Sequence, residues 1–183
     1  MRLFIAVPLP AHPQSDATRI LRGLRARDWP VRWVRDDGLH VTLKFFGEVT
    51  SDRVDAIAEM LTLASKDMQP LAMTLTAASV LPSARRPRVI TLDLETESDL
   101  ELLQDRLERL GEQLGFPPEG RPFRPHVTLG RVREGHRLPS GWDSELERIS
   151  PGDGFLADRV ALFESRLTPE GPMYTVRHEV VLA

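Results

Sequence analysis

A chain of 183 residues with no cysteine, 28% charged residues and a net charge of −3 is long enough to bury a proper core, and it reads as a single domain over 1–183 of ordinary globular make-up. Disulfides and thiolate chemistry are excluded, and the acidic balance argues against a protein that coats long nucleic acid through a broad basic face. The apolar start stops at Pro8, short of a signal sequence, no stretch reaches the length of a membrane span, and nothing marks an association surface, so a cytoplasmic monomer is expected.

Arg2 to Val7 reads as a strand that Pro8 and Pro10 end. Ala17, Ile20, Leu21 and Leu24 fall at helical spacing, which predicts an amphipathic helix opened by Pro13. Val31 to Val34 is a short strand feeding the Asp36-Asp37-Gly38 turn, and the run from His40 to Phe46 is a second strand, interrupted at Gly47. Thr50-Ser51-Asp52 announces a helix with Val54, Ile57, Ala58 and Leu61 as its buried stripe. Leu71, Met73, Leu75 and Ala77 alternate as a strand, residues 82–87 read as a loop, and Ile90, Leu92 and Leu94 return as an antiparallel partner. A helix follows with Leu100, Leu103, Leu107, Leu110 and Leu114 on one face, Ser98 as N-cap and Gly115 at its end. A proline-rich loop, Phe116 to Pro125, leads into a strand from His126 to Val132. Residues 133–154 read as loop with a short helix around Asp143 to Ile149. Two strands, Phe155 to Leu167 and Met173 to Leu182, close the chain as a hairpin about Thr168-Pro169-Glu170-Gly171-Pro172.

Two of those strands open on the same four residues, His40-Val41-Thr42-Leu43 and His126-Val127-Thr128-Leu129, nearly half a chain length apart. That spacing suggests duplicated lobes about an approximate two-fold axis. Alternation turns His40 and Thr42 to one face, and His126 and Thr128 likewise, with the valines and leucines inward. A lone histidine on a strand is more often structural than catalytic, but two in matched settings, each with a hydroxyl two residues on, change that balance. Facing each other across a cleft, one imidazole can act as acid and the other as base near neutral pH, while the threonines donate to the oxygens of a shared phosphate.

Zinc is the rival use of the pair. His-x-x-x-His, His-Glu-x-x-His and cysteine are all absent, so no ligand set is legible, and neither metal nor cofactor is expected. Gly-x-Ser-x-Gly and Gly-x-x-x-x-Gly-Lys are absent as well. His12 and His136 read as loop residues and His178 as a strand residue. Arg85, Arg86 and Arg88 read as a solvated loop cluster, whereas Arg121, Arg124, Arg131 and Arg133 bracket His126 and point to local recognition of anions, with Arg124 placed for a neighbouring phosphate. By parity Lys44 shares the His40 face.

These segments resemble the RNA 2′,3′-cyclic phosphodiesterases, also called 2′-5′ RNA ligases or LigT-like proteins, of the two-histidine phosphoesterase superfamily. The resemblance rests on the paired His-x-Thr motifs, on Arg2-Leu3-Phe4-Ile5-Ala6, on His40 to Val49, on Arg124 to Val132 and on Phe163-Glu164-Ser165-Arg166-Leu167. It implies a bilobal α+β fold in which two antiparallel sheets form a V-shaped cleft with helices packed outside. It also implies metal-independent opening of a terminal RNA cyclic phosphate to a 2′-phosphomonoester, with His40 protonating the departing 3′ oxygen and His126 activating water, or reversible 2′-5′ ligation. Phe45 and Arg131 are implied to sandwich the terminal base. Strict alternation disagrees, because both have odd parity relative to their histidines; Gly47 and Gly130 offer bulges as the remedy. Two alternatives stay open, a phosphoesterase acting on a small cyclic nucleotide and a catalytically silent binder of RNA ends.

Overall fold

The computed structural model describes residues 1–183. Nine strands, β1 (Arg2–Pro8), β2 (Val31–Trp33), β3 (His40–Glu48), β4 (Leu71–Ser83), β5 (Arg86–Thr96), β6 (His126–Val132), β7 (Gly154–Ala157), β8 (Arg159–Thr168) and β9 (Gly171–Val181), alternate with four helices, α1 (Ala11–Arg25), α2 (Val54–Ala64), α3 (Ser98–Gln113) and α4 (Trp142–Glu147). The helices form where the apolar spacing placed them. α1 buries Pro13, Ala17, Ile20, Leu21 and Leu24, and α3 buries Leu100, Leu103 and Leu107. Ser98 is the first residue of α3 rather than its cap, and no side chain caps that end. In α2 the buried stripe includes Met60 and Ala64, while Ala58 is only half-buried.

Every strand pairing is antiparallel, and the strands join in the order β7-β4-β5-β6-β3-β1-β8-β9, with β2 beside β6. The fold is therefore α+β, and the two predicted sheets are the two halves of one curled sheet. The halves meet through one backbone pair, Val41 with Val127, at the start of each of the two His-Val-Thr-Leu strands. On either side of that pair β3 and β6 splay, and the cleft opens there. Only Asp158 separates β7, at one edge of the sheet, from β8, next to the other edge. A flat sheet cannot satisfy that connection, so the sheet curls into a half-barrel. The predicted strand from Phe155 to Leu167 is thus two strands serving different halves. The predicted loop 82–87 is also shorter than expected, because both strands run on until only Ala84 and Arg85 turn.

The approximate two-fold relation is visible in the connectivity. β1–α1–β3 corresponds to β5–α3–β6: each time a helical connection returns the chain to its antiparallel neighbour, which begins with His-Val-Thr-Leu. The next long strand is exchanged, since β4 pairs with β5 while β8 pairs with β1. α3 packs on β3, and α2 packs on α3, β8 and β9. One continuous apolar core runs beneath both halves, with Val41, Val127, Leu129, Ile5, Ile90, Leu92 and Leu162 fully buried. No helix is long and apolar enough to cross a membrane.

Candidate active site

The pairing of Val41 with Val127 fixes the register of the two motifs. In an antiparallel pair the neighbours follow in opposite directions, so His40 lies opposite Thr128 and Thr42 opposite His126. Because the two valines point into the core, all four flanking side chains share the other face, toward the cleft. His40 and His126 therefore stand on a diagonal, with Cα atoms about 7–8 Å apart in an ideal pair, and the two hydroxyls occupy the opposite diagonal. The structure thus brings the four motif residues onto one face of the sheet where β3 meets β6, with His40 set back from the open cavity that Thr42, His126 and Thr128 line.

Both rings are oriented in the same way. His40 Nδ1–H donates to the Gly38 carbonyl at 2.8 Å, and His126 Nδ1–H donates to the Arg124 carbonyl at 2.7 Å. A carbonyl only accepts, so the proton sits on Nδ1 and each neutral ring leaves Nε2 free as an acceptor. His136 makes the same local bond to Glu134 away from this point, so the bond alone does not mark the site. The surroundings of the two motif histidines differ. His40 is packed in an aromatic box of Phe4 (centroids 4.9 Å), Phe163 (6.2 Å) and the edge of Tyr174 (5.2 Å). Burial there pushes its pKa down from 6.5 to about 4, against the hydrogen bond to Gly38 and helped by the like charge of His126. Sequence reading misses this box as part of the site. Phe4, Phe163 and Tyr174 come from three strands, and only the register of β1, β8 and β9 puts them beside His40.

The parity conflict over Phe45 and Arg131 is resolved by two equivalent bulges. On β3, Thr42 pairs with Ala6 and Lys44 with Ile5, which leaves Leu43 as an extra residue. On β6, Thr128 pairs with Thr91 and Gly130 with Ile90, which leaves Leu129 extra. The burial pattern from each histidine onward is the same over seven residues. Each bulge flips the parity once, so Phe45 and Arg131 land on the cleft face, both exposed. The bulges that turn Phe45 and Arg131 fall on the motif leucines; β3 does have a second shift at Gly47, between the Leu3–Gly47 and Phe4–Phe45 pairs, but it lies beyond Phe45, and β6 shows none at Gly130. The same slip removes Lys44 from the His40 face. It is buried on the opposite side, where its Nζ pairs with Glu108 Oε2 at 2.7 Å.

Thr42, Phe45, Arg88, Arg124, His126, Thr128 and Arg131 line one open cavity of about 930 Å³. The proline-rich loop that forms its wall is held from below. Glu108 accepts from the Glu119 backbone N–H at 3.1 Å as well as from Lys44, and Phe116 packs edge-on to Phe46 and under the Arg53 guanidinium. Outside this cavity, Asp36 is clamped by Arg22 and Arg25 of α1, which fixes the turn whose Gly38 carbonyl orients His40; the Arg22 hydrogen bond holds the Asp36 carboxyl below its ordinary range. Asp93, opposite His126 on β5, accepts from Ser79 at 2.7 Å rather than from the imidazole. His12 lies near Asp16 on α1, and His178 bonds Thr62 of α2, so neither reaches the cleft. Nowhere do three or more His, Asp or Glu side chains come together in a group able to hold a metal ion.

The LigT-like phosphoesterase family matches this chain twice, over residues 7–91 and 92–174, in line with the duplication seen in the strands. An RNA 2′,3′-cyclic phosphodiesterase of Thermotoga maritima is 32% identical over 180 residues, covering 98% of this chain and 94% of that protein. Another, from Methanothermobacter thermautotrophicus, is 33% identical and covers 96% of this chain and 95% of its own. Among solved structures, TT0787 of Thermus thermophilus superposes with a TM-score of 0.83 at 28% identity, over 100% of this chain and 98% of that one. Escherichia coli LigT complexed with 3′-AMP gives 0.74 at 28% identity, over 99% and 97%. With both halves matched by one family and relatives aligned end to end, the chain belongs to the LigT-like phosphoesterases.

Proposed function

We propose that this chain hydrolyses the 2′,3′-cyclic phosphate at an RNA end to a 2′-phosphomonoester, without a metal, as one two-lobed catalytic unit acting as a cytoplasmic monomer. The observation that carries this reading is the register through Val41 and Val127, which sets two imidazoles on one diagonal and two hydroxyls on the other around a single point. A phosphate at that point meets a hydroxyl donor for each non-bridging oxygen and a ring on either side of the phosphorus. Water attacks phosphorus as the P–O3′ bond breaks; one neutral ring takes the water proton and the other, protonated, ring gives a proton to O3′. Phe45 and Arg131 at the cavity mouth suit stacking on the terminal base, and Arg124 suits a neighbouring phosphate.

The resemblance assigns the proton on O3′ to His40 and the activated water to His126. Burial opposes a charge on His40 in the free protein, so in this assignment the negative charge of the bound phosphate loads the proton. Hydrolysis of an oligonucleotide ending in a 2′,3′-cyclic phosphate, with chelator present, tests the reading. Turnover supports it, activity on a mononucleotide alone indicates a small cyclic-nucleotide phosphodiesterase, and binding without turnover indicates a silent RNA-end binder. His40→Ala and His126→Ala are each expected to lose at least about a hundredfold in kcat with the fold intact by circular dichroism. A substrate with sulfur in place of O3′, which leaves without a proton, should restore turnover to the acid variant only; recovery in the His126 variant instead would exchange the two roles.

A further inference from the structure

Arg88 lines two cavities. One is the cleft just described; the other, of about 460 Å³, lies beyond the β4–β5 turn and is lined by Arg85, Arg86, Arg88, His136, Arg137 and Trp142 among its nine residues. None of the nine is an Asp or Glu. The four guanidinium groups make no ion pair, although many arginines on the outer faces do, including Arg19 with Asp16, Arg109 with Asp105 and Arg159 with Glu179. Four unneutralised cations around one hollow raise a positive potential there, which favours an anion between them. The residues come from two separate segments, the β4–β5 turn and the stretch after β6, so the cluster is assembled by the fold and is not a single charged run. Trp142 is half-buried at the start of α4, which Leu146 anchors in the core and the Arg27–Glu145 pair at 2.8 Å ties to the end of α1. Its indole is thus a fixed flat surface beside the four charges, a combination suited to a phosphate chain carrying bases.

We propose that this second cavity binds the RNA strand upstream of the nucleotide in the cleft, with Arg85, Arg86 and Arg137 on its phosphates, Trp142 stacking on a base and Arg88 at the junction. The proposal rests on the reading of the cleft given above and adds to it that the substrate is a polynucleotide end, not a mononucleotide. It also gives a role to the arginine cluster that the sequence presents as a solvated loop.

The test compares wild type with an Arg85→Ser/Arg86→Ser/Arg137→Ser variant on 2′,3′-cyclic AMP and on an eight-nucleotide oligoadenylate ending in the cyclic phosphate. The variant should leave kcat/KM for cyclic AMP unchanged and raise KM for the octamer on the order of tenfold, with the slope of log KM against log salt reduced by about 0.7 for each phosphate no longer neutralised. Trp142→Leu should raise KM for the octamer and leave the salt slope as in wild type. A control variant lacking Arg19, Arg109 and Arg159 removes the same charge elsewhere and should behave as wild type. Equal octamer KM in wild type and the first variant, or an equal effect of the control, overturns the proposal. If wild type turns over neither substrate, the catalytic reading fails by itself; octamer binding, followed by fluorescence anisotropy, that still depends on length and on these arginines would uphold the second cavity, and its absence would overturn it.

Discussion

His40 and His126 have the same neighbours in sequence and make the same bond to the carbonyl two residues back, yet one stands among Phe4, Phe163 and Tyr174 and the other beside arginines. Identical residues in unlike dielectrics become unlike acids. The pH profile of kcat/KM is therefore expected to carry a limb near 4, where His40 titrates in the free enzyme. In the kcat profile that limb should move upward, since a bound phosphate favours the charged ring. The same burial has a cost in stability. Between 6.5 and about 4 the unfolded chain protonates His40 and the folded chain does not, so the unfolded state binds more protons and stability falls as pH drops through that window, by up to about 3 kcal/mol. Urea midpoints at neutral pH and near 4.5 should thus differ more for wild type than for His40→Gln. Equal acid sensitivity in the two proteins would contradict the buried, neutral ring.

At the scale of the element, the bulge matters as much as the motif. Leu43 and Leu129 are each the extra residue in their strands, and each turns the next side chains over, so that an aromatic and a guanidinium face the cleft while Lys44 enters the interior. Gly130 takes the position in β6 that Lys44 holds in β3, and β2 pairs alongside it, Trp33 opposite Gly130. A Cβ there would stand 2.5 Å from Val31 Cγ1, 2.8 Å from the Trp33 ring and 3.1 Å from the Arg32 carbonyl. Gly130→Ala must push β2 away or shift β6, a change of about 1–3 kcal/mol. Because Arg131 is the next residue, the denaturation midpoint should fall and KM should rise together. A stable variant with unchanged KM would show that β2 does not hold Arg131 in place.

For the whole molecule, sequence halves and structural halves do not coincide. The family matches divide the chain at residues 91 and 92, inside β5; with the boundary taken at the start of β5, β4 from the first half completes the sheet around β5 and β6, while β8 and β9 from the second half complete the sheet around β1 and β3. β2 likewise leaves its own half to pair with β6. Each half expressed alone lacks the partner strands of its central pair and is expected to remain unfolded by circular dichroism. Co-expression of residues 1–84 with 85–183, cut in the β4–β5 turn, should restore both fold and turnover, because exchanged strands can pair without a covalent link. A half that folds cooperatively by itself would refute the exchange.

Local spacing was enough to specify the four helices, most of the strands and the pair of His-x-Thr sites, because an apolar stripe and a two-residue alternation depend only on near neighbours. The repeat also announced the duplication. What sequence could not settle are properties of registers between remote strands: the bulges that reversed Phe45, Arg131 and Lys44, the break at Asp158 that splits one predicted strand between two lobes, and the box around His40. A bulge shows itself only against its partner strand, and a dielectric only once side chains far apart in sequence have been brought together. Chemistry-bearing residue types were thus written in the chain, whereas their facing, their protonation and the second basic cavity beside them were decided by the curl of the sheet.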